Sequence, residues 1–373
     1  MVKLSVRYHI FAALLLVAGL SACSDGSDNL PMTEPAFRPD APGPFGVGHA
    51  AFTPIDPVRG NRMLPVDVWY PTDEADFPDA PVTIYPLAAG IGLESQLARE
   101  DAPISASTGL QLVVFSHGYG GIATASVGLM ETLASHGFVV ISPEHSGNSQ
   151  SDNSDSFDQA AANRVPDVSF LIDTMLARSD TPGDRFFGKL DPERVGVVGH
   201  SFGGMTALGM KAGWAGAEPD ERVAAIVPIS AVIQADLQSD FRSGPNAGFT
   251  AEQLARIAVP TMLIGGTEDV DVFIENNEIA FRQVINAPRA YKTDIIGANH
   301  THFANVCDIG NLLIDLGINQ DSWELIGAGD LLEPYATTCS PEAFSIEEAV
   351  RLQNLYVTCL LYTSDAADDA SSV

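Results

Sequence analysis

Five short apolar runs recur through the middle of the chain: Leu110 to Phe115, Phe138 to Ser142, Val195 to Val198, Val223 to Ile229 and Thr261 to Ile264. A strand buried on both faces reads as a continuous hydrophobic run, whereas one with a wet face alternates. Between the runs lie helix-patterned stretches, at Ala123 to His136 (stopped by Gly137), Val165 to Leu176, Phe202 to Lys211 and near Val272 to Val284. A further strand follows at Tyr291 to Ile296. Strand and helix alternating on this scale predict an α/β fold with a mainly parallel sheet and helices on both faces. Two extended segments come first, Val47 to Phe52 and Leu64 to Tyr70, with Asp56-Pro57 and Arg59-Gly60-Asn61 turning the chain between them. They predict an antiparallel N-terminal edge. With 46% hydrophobic residues in 373 and no interior linker, one large domain is expected. Two polar stretches, Ser146 to Gln159 and Gln234 to Gly248, read as insertions over the strand ends, where substrate loops sit in open α/β sheets.

Gly199-His200-Ser201-Phe202-Gly203 falls where the strand Val195 to Val198 gives way to a helix. That placement is what a G-x-S-x-G nucleophile elbow requires, because the serine sits on a strained turn and side chains at the flanking positions would clash. The segment Ser116-His117-Gly118-Tyr119-Gly120-Gly121 follows the first buried strand. A loop there supplies one backbone N–H of an oxyanion hole, and the residue after the nucleophile supplies the other, so Tyr119 and Phe202 are the candidate donors. The order in such chains is serine, acid, histidine. Past the strand Thr261 to Ile264, Asp269 is the preferred acid, with Glu268 and Asp271 as competitors. Of eight histidines only His300 and His302 lie beyond Asp269, and His300 is preferred because it follows its strand sooner. The pair has no third ligand nearby in sequence, so no metal is expected.

The N-terminus carries Lys3 and Arg7, an apolar run from Phe11 to Leu20, and then Leu20-Ser21-Ala22-Cys23. This is the pattern of a signal peptide over residues 1–22, and the tetrapeptide resembles a bacterial lipobox, in which Cys23 becomes the lipidated first residue. An ordinary cleaved signal with a chance cysteine is the alternative. Residues 23–45, rich in Ser, Asp and Pro, read as a disordered tether, and the catalytic domain is expected over 46–358. The reading implies export and lipid attachment to a bacterial cell envelope, with membrane contact through that lipid alone. In an oxidising compartment Cys307 and Cys339 are the candidate disulfide. The 48 acidic residues against 19 basic ones give a net charge of −29, which argues against nucleic acid and anionic lipid as partners.

With these residues in place, the chain resembles the bacterial predicted dienelactone hydrolases and the platelet-activating-factor acetylhydrolases. The likeness rests on Val66-Asp67-Val68-Trp69-Tyr70-Pro71, on Pro143-Glu144-His145-Ser146-Gly147-Asn148, on the oxyanion and elbow segments, and on His300-Thr301-His302-Phe303-Ala304-Asn305. It implies the α/β-hydrolase fold, a catalytic histidine at His300, oxyanion donors at Tyr119 and Phe202, and no cofactor. True dienelactone hydrolases use a cysteine nucleophile, so their substrate is not carried over. Cutinase-like polyester hydrolases have a different elbow and an aromatic residue after the next strand, where this chain has Val227-Pro228-Ile229-Ser230. From Cys359 the sequence leaves the family pattern and resembles translated sequencing-adapter sequence, so 359–373 is expected to be a non-native, disordered tail. The expected activity is hydrolysis of small or lipid-like esters through an acyl-enzyme on Ser201, with Asp269 and His300 completing the triad. Its rival is a catalytically idle surface lipoprotein that binds a ligand.

Overall fold

The computed structural model describes residues 2–8, 37–73, 79–88, 90–237 and 244–369, and for 2–8, 88 and 365–369 the backbone alone. Strand β1 (Val2–Tyr8) is followed by β2 (Gly46–Phe52), the two-residue strands β3 (Ile55–Asp56) and β4 (Arg62–Met63), β5 (Val66–Thr72), β6 (Val82–Ala88), β7 (Ile91–Glu100) and β8 (Leu110–Ser116). Helix α1 (Val127–Ser135), β9 (Val139–Pro143), α2 (Phe157–Asp180), β10 (Leu190–His200) and α3 (Phe202–Ala212) come next. Then follow β11 (Val223–Ile229), α4 (Ala251–Ala255), β12 (Thr261–Gly266), α5 (Glu275–Gln283) and β13 (Arg289–Ile295). Helices α6 (Val306–Asp315), α7 (Leu332–Thr338) and α8 (Ile346–Asp369) complete the described chain.

One sheet carries the order β1-β13-β12-β11-β10-β8-β9-β5-β2-β7-β6. From β9 to β13 every pairing is parallel, whereas β5 meets both β9 and β2 antiparallel. All seven residues of β8 are buried, and they alternate between two cores. Leu112 and Val114 join the apolar faces of α2 and α3, while Val113 and Phe115 join those of α1 and α8. The mainly parallel sheet with helices on both faces and an antiparallel N-terminal edge is therefore as expected.

Several boundaries differ from the sequence reading. The antiparallel hairpin of β6 and β7 extends the N-terminal edge, with β7 parallel to β2, where only a loop was expected. Its strands mix exposed and buried positions and include Pro86, the profile of an edge rather than a buried strand. Helix α2 starts eight residues before Val165, inside the supposed insertion, under a capping box formed by Ser156 and Gln159. It then runs through Pro166, a residue that reads from sequence as a helix start.

The expected tether is shorter than 23–45. Phe37 packs edge-on against Tyr362, the amides of Gly43 and Phe45 donate to Ser135, and Asp40 pairs with Arg351 at 3.1 Å. Residues 23–36, with Cys23, lie outside the described residues, as do residues 9–22 of the expected signal peptide. Val2–Tyr8 lies antiparallel on β13, and its alternation of apolar with polar residues suits an edge strand. The expected tail also needs correcting. Helix α8 continues past Thr358, and Cys359, Leu360 and Leu361 are buried. A Cβ at Gly196 would stand 2.8 Å from Leu361, so that leucine lies flat on β10. Apolar side chains on the helix face continue the core, which composition alone did not reveal.

Between β13 and α8 the chain forms short helical turns around Trp323, which is fully buried. A disulfide joins Cys307 on α6 to Cys339 at the end of α7, with their Cα atoms 5.5 Å apart.

Candidate active site

Ser201 stands between β10 and α3 with φ 58° and ψ −119°, a conformation that costs a non-glycine residue about 1–3 kcal/mol. Neighbouring backbone over-determines it. Its N–H donates to the Ile229 carbonyl at 2.8 Å, which ties the turn to β11. A Cβ on Gly199 would lie 2.1 Å from the Gly203 carbonyl oxygen, and a Cβ on Gly203 would lie 1.8 Å from that of Ser116. Both obstacles are main chain and cannot rotate away. The sequence pattern around Ser201 is therefore a packing requirement at the junction of three elements.

Beyond β8 the loop of His117, Gly118 and Tyr119 passes beside the nucleophile. A Cβ on Gly118 would be 3.4 Å from Ser201 Cβ and 3.9 Å from its Oγ. Phe202 is the first residue of α3, so its N–H has no intrahelical acceptor and faces the positive end of the helix dipole. The ring of Tyr119 packs at 5.3 Å from Phe202 and 6.1 Å from Phe157.

Residues that sequence reasoning passed over hold this loop from behind. Arg164 on α2 is fully buried and donates to Ser116 Oγ (3.1 Å), the His117 carbonyl (2.6 Å), the Gly118 carbonyl (3.0 Å) and Asn148 Oδ1 (2.6 Å). Burial lowers its pKa to about 9, so it remains a cation at neutral pH. Asp167, three residues along the helix, accepts from Arg59, Arg62 and His145 Nδ1. Burial opposes its ionisation, but these partners hold its pKa far below the carboxylate range. The other nitrogen of His145 lies 3.0 Å from Ser116 Oγ, and burial with the nearby Arg164 charge lowers the His145 pKa to about 4. The only sequence signal for this network is a charged pair at i, i+3 on a helix face that is otherwise apolar.

Past β12, Asp269 is buried with both oxygens engaged. Oδ1 accepts the amides of Asp271 (3.0 Å) and Val272 (2.7 Å), and Oδ2 lies 2.8 Å from His300 Nδ1. Burial alone would raise its pKa, but the His300 charge and hydrogen bond and the Val272 amide reverse the sign and lower it. For His300, burial pulls the pKa down, and the Asp269 carboxylate more than offsets this, leaving it above the ordinary imidazole value. The carboxylate hydrogen-bonded to His300 Nδ1 is thus that of Asp269, the preferred acid among the three sequence candidates. Asp271 is exposed, yet its carboxylate shares a 4.8 Å neighbourhood with Asp269 and His300.

His302 has a different task. It is buried, with Nδ1 accepting the Asn299 amide at 2.9 Å and Nε2 donating to the Phe344 carbonyl at 2.9 Å, so it braces the turn that presents His300. The ring of His200 lies 4.6 Å from that of His300, tilted to it by 43°. Burial, and then repulsion from His300, lower its pKa to about 3, so it is a neutral wall. Among the described residues no hydrogen bond joins Ser201 Oγ to His300, a contact that commonly tightens only with substrate in place. Cavities of about 490 and 360 Å³ flank the strand ends, one beside Ile233 and Phe249 and the other beside Val270 and Phe273, and neither includes Ser201. Residues 238–243 of the second expected insertion lie outside the described residues.

Comparison with known proteins adds three likenesses. A family described as serine aminopeptidase, S33, matches residues 109–289, a span that holds Ser201 and Asp269 but ends before His300. The platelet-activating factor acetylhydrolase of Cavia porcellus is 24% identical across 46% of this chain. The match spans about half of that relative's length, 51%. A solved ferulic acid esterase from Streptomyces cinnamoneus superposes with a TM-score of 0.55 at 23% identity, covering 88% of this chain and 91% of its own.

Proposed function

We propose, from the α/β-hydrolase fold of this chain, that it is a serine ester hydrolase with Ser201 as nucleophile, His300 as general base and Asp269 as the orienting acid. One observation carries the reading: a strained serine at the end of β10 and a hydrogen-bonded aspartate–histidine pair at the ends of β12 and β13 stand on the same edge of one parallel sheet. Ser201 Oγ attacks the ester carbonyl as its proton passes to His300 Nε2, and Asp269 stabilises the imidazolium that forms. The N–H groups of Tyr119 and Phe202 receive the oxyanion. The alkoxide leaves with the proton from His300, and water then releases the acyl group by the same steps in reverse order of partners.

Ester rather than amide substrates are supported by the names of two relatives, an acetylhydrolase and an esterase, while the matching family is described as a peptidase. Small or lipid-like esters, phospholipid esters included, are the proposed substrate class. Residues 1–22 and Cys23 are read as an export signal and lipidation site, which would place the enzyme on the cell envelope and, once the signal is cleaved, leave β13 rather than β1 as the edge of the sheet. The test is turnover of nitrophenyl esters graded by acyl length, run beside aminoacyl nitroanilides. Faster cleavage of the anilides, or no turnover of any ester, would overturn the reading.

A further inference from the structure

We propose that Arg164 is a positioning residue for the oxyanion hole, holding the Gly118 carbonyl so that the N–H of Tyr119 faces Ser201. The inference rests on the serine ester hydrolase reading above and deepens it. Among the described residues every peptide bond is trans. In a planar trans peptide the carbonyl and the following N–H point in opposite directions. The Gly118 carbonyl is fixed toward α2 by Arg164 Nη2 at 3.0 Å and by His117 Nδ1 at 2.7 Å. The Tyr119 N–H in the same peptide must then face away from α2. Ser201 lies within van der Waals contact of a Cβ placed on Gly118, so the nucleophile borders that peptide.

The preceding carbonyl, of His117, also converges on Arg164, at 2.6 Å. Two successive carbonyls gathered on one cation leave two successive N–H groups, of Gly118 and Tyr119, turned to the other side, the arrangement of an anion-binding nest. A guanidinium is suited to this because its planar fork reaches both oxygens at once, which an ammonium cannot do with the same rigidity. Charge adds to geometry. None of the four acceptors of Arg164 is a carboxylate, and Asp167 is occupied by Arg59, Arg62 and His145. Asp167 and Glu144 lie close enough to temper the Arg164 charge, and what remains of it favours an oxyanion developing on the far side of the loop.

The experiment begins with the parent chain, whose Ser201 must react with a serine-directed phosphonate and turn over a nitrophenyl ester. An inactive, unlabelled parent overturns the esterase reading itself. With an active parent, Arg164→Met should lower kcat on the order of 10²-fold, as loss of one oxyanion donor does, with KM changed less than about threefold. Affinity for a trifluoromethyl ketone, whose adduct puts its oxygen in the hole, should fall in parallel, while inhibition by the alcohol product stays the same. Arg164→Lys should recover part of the loss. A folded Arg164→Met with parental kcat, a defect confined to KM, or unchanged ketone affinity would each overturn the proposal. If Arg164→Met does not fold, as judged by near-ultraviolet dichroism, the lysine variant decides. Parental kcat there overturns the proposal, and a deficit of about tenfold at constant KM supports it.

Discussion

Asp269 Oδ2 and His300 Nδ1 lie 2.8 Å apart, and this one hydrogen bond settles which nitrogen of the imidazole is left for chemistry. The carboxylate accepts a proton held on Nδ1, so Nε2 is the basic end, and the partly exposed ring can present it to a substrate-bound serine. Asp269 is itself immobilised by two backbone amides, so the ring's orientation derives from main chain rather than from flexible side chains.

The two neighbouring histidines should separate cleanly by mutation. Ser201→Ala and His300→Ala are expected to lose ester hydrolysis by about 10⁴-fold or more while retaining the fold. His302→Ala should retain kcat within about tenfold but lower the melting temperature, because it leaves the Phe344 carbonyl and Asn299 amide without their partner. Steady-state kinetics and thermal melts on the three variants check this. Loss of activity in His302→Ala at parental stability would shift the base assignment by two residues.

The pH profile has a defined sign. His300 must be neutral to accept the serine proton, and its pKa is raised above the ordinary 6.5 by Asp269. The acid limb of kcat/KM should therefore have its midpoint above pH 6.5. Asp269→Asn should remove most activity and move any remaining limb downward, since the charge that raises the pKa is gone. A parental limb centred below pH 6 would contradict the observed pairing.

Stability should fall on acidification for a separate reason. His145 is buried with a folded pKa of about 4 against 6.5 for a free imidazole. A depressed histidine pKa means the unfolded chain binds the proton more readily, so its contribution is intact above pH 6.5 and is lost as pH drops toward 4. The loss from this one group is about 3 kcal/mol by pH 4. Urea midpoints measured from pH 7.5 to 4.5, with His145→Gln as a variant of shallower slope, report on it.

The disulfide and the C-terminal helix should both matter to folding. Opening the Cys307–Cys339 bridge, which spans 32 residues, should cost about 4 kcal/mol on loop-entropy grounds. Truncation after Thr358 removes the buried Leu360 and Leu361, and losing two such side chains should cost about 4 kcal/mol or more. Chemical denaturation of the double serine variant and of the truncated chain measures each. A truncated protein of parental stability would restore the reading of that segment as a dispensable tail.

Local pattern in the sequence was enough for the parallel sheet, because strands buried on both faces have no polar positions, and for Ser201, because backbone clashes at Gly199 and Gly203 exclude every other residue type there. It was enough, too, to set Asp269 and His300 at successive strand ends. What it left open was decided by contacts between residues far apart in the chain. The choice of His300 over His302 depends on the Phe344 carbonyl, 42 residues away, which captures His302. The β6–β7 hairpin and the start of α2 were obscured because edge strands mix polarity and because a proline inside a helix imitates a helix start. Leu360 and Leu361 carry no signal of burial until α8 is laid across β10 and its neighbours. Arg164 is the clearest case. A buried cation is tolerated only where tertiary structure delivers acceptors to it, and the acceptors here come from Ser116, His117, Gly118 and Asn148, none of them near it in sequence. Sequence periodicity can assign a residue to a face, but the partners that make its burial affordable exist only once the chain is folded.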